Sequence, residues 1–182
     1  MAGRLASPGF GRNRLSRAAD ARQFRREAPG RAGGVPARED GTRETGMSKP
    51  PEVVTLEWRG EDLRFTGRRN GHLTPIDGHG ETGPNPVALL LESLAGCMAS
   101  DIVDILRKGR QDLRGLVIEI EADRKEKPPR HLHSIRFVIR IAGEVEEAKA
   151  RRAVELSFET YCSVWHSLRD DLAWEWELAL SG

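Results

Sequence analysis

The sequence predicts an α+β fold with a predominantly antiparallel sheet, on three observations. Apolar and polar residues alternate at period two in Leu116 to Ala122, Ser134 to Ile141 and Leu172 to Leu180. Apolar residues recur at helical spacing in Val87 to Lys108 and Glu144 to Glu159. The resulting order is strands, long helix, two strands, helix, strand. A chain of 182 residues has room for one such domain plus an appendage, enough to bury a core.

Residues 1–46 stand apart in composition. They hold ten Arg, no Lys and five acids, whereas 47–182 hold 19 basic and 23 acidic residues. Without apolar periodicity such a segment cannot offset the entropy lost on ordering, so it is expected to be disordered. Three origins compete: a nucleic-acid arm, an organelle transit peptide, or translation from a start upstream of Met47. The third is preferred because the composition changes abruptly. Asp20, Glu27, Glu39, Asp40 and Glu44 argue against a transit peptide. Phe10 and Phe24 are too few aromatics for a nucleic-acid arm.

Order begins at Val53. Val53 to Trp58 and Asp62 to Gly67 read as short strands around the turn Gly60-Glu61-Asp62, with another near His72 to Ile76. The Gly/Pro-rich stretch from Asp77 to Pro86 then leads into a helix, with Asn85 placed to cap it and Pro86 suited to its first turn. Leu90, Leu91, Leu94, Ala95, Met98, Ile102, Ile105 and Leu106 spread around most of that helix, so it is expected to be central, with protein on nearly every side.

Leu116 to Ala122 and Ser134 to Ile141 form a hairpin through Lys125 to Arg130, which includes Pro128-Pro129, and each strand keeps one wet face. The second helix is carried by Ala150, Val154 and Phe158. The last strand puts Trp174 and Trp176 on one face, where with Trp165 they are expected to join the core.

Chemistry enters with Cys97 and Cys162, the only two cysteines, 65 residues apart. Two cysteines are too few for a secreted disulfide scaffold, and no signal-peptide h-region precedes them, so a reducing cytoplasm is expected. The most apolar stretch, Val87 to Ser100, carries Glu92 and ends at Asp101, too short and too charged to span a bilayer. Gly78-His79-Gly80 lacks the third glycine and the strand-to-helix context of a dinucleotide fingerprint. His131 and His133 share a strand face, and Cys162 with His166 has ligand-like spacing, but local spacing supplies no third ligand, so no metal is expected. His72 and His79 carry no motif. For Cys97 the plain alternative is an inert buried thiol, and for His166 a polar residue on a surface helix.

Gly83-Pro84-Asn85-Pro86 before a helix bearing Gly96-Cys97, and Tyr161-Cys162-Ser163-Val164-Trp165-His166 opening a later element, together resemble the OsmC/Ohr family of osmotically induced and organic-hydroperoxide-resistance proteins. The resemblance covers about Val53 to Leu180. It implies an OsmC-like intertwined homodimer, antiparallel sheets wrapped around two central helices, which would account for the all-round apolarity of Val87 to Leu106. It further implies a thiol-dependent peroxidase without metal, flavin or haem, acting on an organic hydroperoxide. Cys97 would be the nucleophile, and Cys162 the resolving thiol. A dithiol or lipoyl-type reductant would regenerate them. Neither nucleic acid nor membrane is an expected partner.

Two features depart from the peroxidase pattern. The family's glutamate after Asn-Pro is Val87 here, and Glu92 lies about 140° around the helix from Cys97. The family's arginine falls on Pro75-Ile76-Asp77 in one branch and on the first hairpin in the other, where Arg59 or Arg64 is available. The alternative reading is a non-enzymatic OsmC-like protein that binds a small apolar ligand or senses redox state through structural thiols. His166, four residues past Cys162, would help ionise that thiol if the segment is helical. Asp101, four residues past Cys97, would oppose ionisation if it faces the same way.

Overall fold

The computed structural model of the chain describes residues 50–182. The expectations for 1–46 and for a start at Met47 lie outside them.

Three strands, β1 (Thr55–Trp58), β2 (Arg64–Arg69) and β3 (His72–Asp77), form an antiparallel meander. Asn70 and Gly71 close its second hairpin with φ of 48° and 81°, the left-handed pair that a two-residue turn requires. Leu56, Trp58, Phe65 and Ile76 share one face by register. That face stays open in the single chain, with Leu56 and Trp58 56% and 60% exposed.

Asp77 ends β3 and is itself buried. Its carboxylate accepts the Thr82 N–H (2.9 Å), the Thr82 hydroxyl (2.7 Å) and the His79 N–H (2.9 Å). These bonds, those from Thr82 foremost, hold its carboxyl well below the usual carboxylate range. The clasp fixes the path of the Gly/Pro-rich loop toward the helix.

Helix α1 (Pro86–Lys108) starts as the sequence predicts: the Asn85 side chain accepts the N–H groups of Val87 and Ala88 at 3.0 and 2.9 Å. Arg107 and Lys108 occupy its last turn, where the exposed carbonyls favour cations. Leu94, Met98, Ile102 and Leu106, spaced at i+4, are its fully buried stripe. Leu91, Ala95 and Ile105 are half-buried and Leu90 is exposed, so within one chain α1 is covered on one side only.

The second sheet is β4 (Asp112–Arg124), β5 (Leu132–Glu144) and β6 (Ala173–Ser181), with β5 in the middle. The β4–β5 hairpin is antiparallel as predicted, but β6 runs parallel to β5 because a helical crossover separates them. β4 and β5 outrun their periodic segments, since pairing with a neighbour decides where a strand ends, whereas β6 keeps the length of its own. Ile135, Phe137, Ile139 and Ile141 face inward beside Trp174, Trp176, Leu178 and Leu180 of β6. The other face is wet, and on it Arg136 reaches Glu121, Glu175 and Glu177 while Arg140 pairs with Glu119. Val138, on the wet side of the middle strand, is nevertheless buried.

Helix α2 (Glu147–Leu156) buries Ala150, Ala153 and Val154, then widens into a π turn over Ser157–Tyr161 rather than continuing to Glu159 as an α-helix. A single 3₁₀ turn, Trp165–Ser167, precedes β6. The core thus lies between one face of α1, α2 and the inner face of β4–β6. Among the described residues no helix is long and apolar enough to cross a membrane.

Candidate functional site

Cys97 lies in the middle of α1 and is half-buried, whereas Cys162 follows the π turn and is fully buried; both are free thiols. The π turn sets the position of Cys162: its N–H bonds to the Ser157 carbonyl five residues back, at 2.9 Å. Phe158, inside that turn, is held by an aromatic cluster. Its ring centroid lies 5.1 Å from Phe137, 5.3 Å from Trp165 and 4.7 Å from Trp174. Trp165 and Trp176 therefore join the edge of the core as expected, whereas Trp174 stays 40% exposed and stacks on Phe158 from outside it; together they anchor the turn that carries the second thiol.

The two sulfurs and the Asp101 carboxylate have their polar atoms within 4.8 Å of one another. Asp101, one helical turn after Cys97, does face the same way, and the Ser157 hydroxyl donates to its Oδ2 at 2.8 Å. The Ser163 hydroxyl lies 3.9 Å from Cys97 Sγ. The Trp165 N–H donates to Cys162 Sγ at 3.4 Å.

These contacts separate the thiols. Burial opposes ionisation of Cys97, but hydrogen bonds from the Val164 N–H, the Cys162 thiol and the Ser163 hydroxyl outweigh it. The net direction is down, against the opposing charge of Asp101. Burial pushes the Cys162 thiol up to about 12; the Trp165 N–H offsets this in part, while Cys97 and Asp101 add to it. The accessible sulfur is thus the one whose anion is supported.

The remaining sequence-predicted residues fall elsewhere. Cys162 adopts an extended backbone, so the helical geometry that would bring the His166 imidazole onto its sulfur is absent; the His166 side chain is exposed, and its backbone N–H bonds to the Cys162 carbonyl at 3.1 Å. Arg59 and Arg64 are exposed on the first hairpin, and Arg59 pairs with Glu57 at 3.3 Å. Neither is among the groups acting on the two sulfurs within this chain. Val87 packs against the core, and Glu92 is exposed.

Ser157 and Ser163 were not singled out by sequence as members of the site, whereas Asp101 was named there only as a charge opposing Cys97. For Asp101 a signal exists, the i+4 spacing from Cys97. For Ser157 none does, because it is the π turn that carries it to the helix. Among the described residues, Cys97, Asp101 and Cys162 are the cluster of side chains able to hold a metal; His131, His133 and His166 are not part of it.

Comparison with known proteins gives a consistent result. The sequence model of the OsmC-like protein family matches residues 78–177, which include both cysteines and Asp101. Protein YhfA of Escherichia coli K12 is 38% identical over 107 residues, covering 57% of this chain and 80% of YhfA. A hypothetical protein from Aquifex aeolicus superposes with a TM-score of 0.66 at 30% identity, covering 74% of this chain and all of that one. The organic hydroperoxide resistance protein OhrB of Bacillus subtilis superposes with a TM-score of 0.51 at 18% identity, over 70% of this chain and 97% of that one, a likeness of fold. With two thiols converging on a helix that begins at Asn85-Pro86, inside a fold shared with these proteins, the chain belongs to the OsmC/Ohr family.

Proposed function

We propose that this protein is a thiol-dependent peroxidase that reduces organic hydroperoxides through a two-cysteine cycle. The observation that carries the reading is the side-by-side placement of Cys97 and Cys162 with unequal exposure. Cys97 Sγ attacks the outer oxygen of the hydroperoxide, the O–O bond breaks, and the alcohol leaves, so that Cys97 becomes a sulfenic acid. Cys162 Sγ then attacks the Cys97 sulfur, releasing water and forming a disulfide. An external dithiol, of the lipoyl type or similar, exchanges with the disulfide, restoring both cysteine thiols as it is itself oxidised to a disulfide.

The reading places two copies in an intertwined dimer in the cytoplasm. The open apolar face around Leu56 and Trp58, and the uncovered side of α1 at Leu90, are what a second copy would cover. In that assembly Arg59 or Arg64 of the partner's hairpin supplies the cation that Cys97 lacks within its own chain.

The test is an anaerobic titration of the reduced full chain with stoichiometric cumene hydroperoxide, following free thiols, peroxide and intact mass together. Loss of both thiols and two hydrogens per chain, faster than with free cysteine and reversed by a dithiol, supports the cycle. Unreacted thiols sink it. One observation favours a second reading, binding of a small apolar ligand or redox sensing with structural thiols: Val87, packed on the core, occupies the position of the family's glutamate.

A further inference from the structure

We propose that the reduced site is also a binding site for one divalent cation of the zinc class, held by Cys97 Sγ, Cys162 Sγ and the Asp101 carboxylate. Local spacing gives Cys162 no third partner; the tertiary structure supplies two. All three donor atoms lie within 4.8 Å of one another. Tetrahedral zinc with bonds of about 2.3 Å to sulfur separates two sulfur ligands by roughly 3.8 Å, so the cluster needs only modest closure around an ion.

The scaffold is suited to this. Cys97 and Asp101 sit one turn apart on the same face of α1, a rigid helix, and Cys162 comes from the turn fixed by Phe158. Ser157 holds one oxygen of Asp101 at 2.8 Å, the outer-shell support that orients a carboxylate ligand. Among the described residues Asp101 forms no ion pair with Lys or Arg. Two sulfurs and one carboxylate select a borderline-soft dication over magnesium or calcium, which take all-oxygen sets. Three protein ligands leave one tetrahedral position for water or an outside ligand.

Such binding makes the cation and the disulfide mutually exclusive, because a Cys97–Cys162 bond consumes both sulfur ligands. An occupied site therefore holds its thiols reduced and shields Cys97 from other reactants.

The experiment is an anaerobic titration of the reduced, chelator-treated full chain with Co²⁺ as the probe, followed by displacement with Zn²⁺. The expected result is one Co²⁺ per chain, with thiolate-to-cobalt charge-transfer absorption and tetrahedral d–d bands that Zn²⁺ bleaches. Zn²⁺ should also protect Cys97, the accessible thiol, from iodoacetamide. Cys97→Ser and Cys162→Ser should each lose charge-transfer intensity, and Asp101→Asn, which keeps both thiols, should weaken binding by about tenfold or more. Absence of the charge-transfer band in the wild type, full intensity in either cysteine variant, or unchanged affinity in Asp101→Asn overturns the proposal. No hydroperoxide enters the titration, so its outcome is independent of the peroxidase reading.

Discussion

The Ser157 hydroxyl donates to the Asp101 carboxylate at 2.8 Å, tying α1, which carries Cys97, to the π turn that delivers Cys162. Ser157 is fully buried and Asp101 half-buried, so solvent does not readily replace this bond. Ser157→Ala should therefore destabilise the fold by about 2 kcal/mol, the usual scale for a hydrogen bond to a charged group. Urea unfolding of the two proteins measures this. A difference within error would mean that the two elements are held together by packing alone.

The two thiols should behave differently when removed singly. Cys97→Ser is expected to abolish hydroperoxide consumption. Cys162→Ser should retain one turnover and accumulate a Cys97 sulfenic acid that dimedone traps. Rapid-quench mass spectrometry distinguishes the two, and undiminished multiple turnover in Cys162→Ser would remove Cys162 from the cycle.

Of the two arginines, Arg59 is already engaged by Glu57, whereas Arg64 forms no ion pair among the described residues. Arg64→Met is accordingly expected to slow Cys97 oxidation by about 100-fold, the scale of losing one charge-stabilising donor, and Arg59→Met by less. Stopped-flow thiol kinetics decides between them; equal rates in both variants and the wild type would place the cation elsewhere.

Acid should weaken the loop before α1. The Asp77 carboxyl is held below its ordinary range in the folded state, so its contribution is fully present above the unfolded value near ~3.9 and is lost as pH falls toward the folded one. Asp77→Asn removes that dependence. The stability gap between wild type and variant is therefore expected to narrow below about pH 4, in urea titrations across a pH series. A gap independent of pH would show that the clasp does not depend on the carboxylate.

Dimer formation is testable at the open faces. The wild type should sediment at twice the chain mass of 20.3 kDa, and Trp58→Asp or Leu90→Asp should shift it toward monomer with loss of thermal stability. A monomeric wild type at micromolar concentration would leave the apolar face of β1–β3 without its proposed cover.

Much of the fold is legible in the sequence because the signals involved are local. Alternation in Leu116 to Ala122 and Ser134 to Ile141 records which side of each strand meets the core, and Asn85 directly before Pro86 is a local signal for a helix start, which the structure carries out. The thiol chemistry is legible as residue type: two cysteines, one of them on an apolar helix.

Other features depended on contacts between distant segments. Strand ends were set by pairing, and the parallel direction of β6 by the crossover before it. The π turn follows from seating Phe158 against Phe137, Trp165 and Trp174, and no propensity of Ser157–Tyr161 announces it. After that turn Cys162 has an extended backbone and its sulfur lies beside Cys97 and Asp101, so the thiol pair that the resemblance implies across 65 residues meets, while the His166 side chain stays exposed. Periodicity reports the surroundings of each residue averaged over a face, whereas a site is the meeting of particular atoms. Where those atoms meet is decided by how separate elements pack.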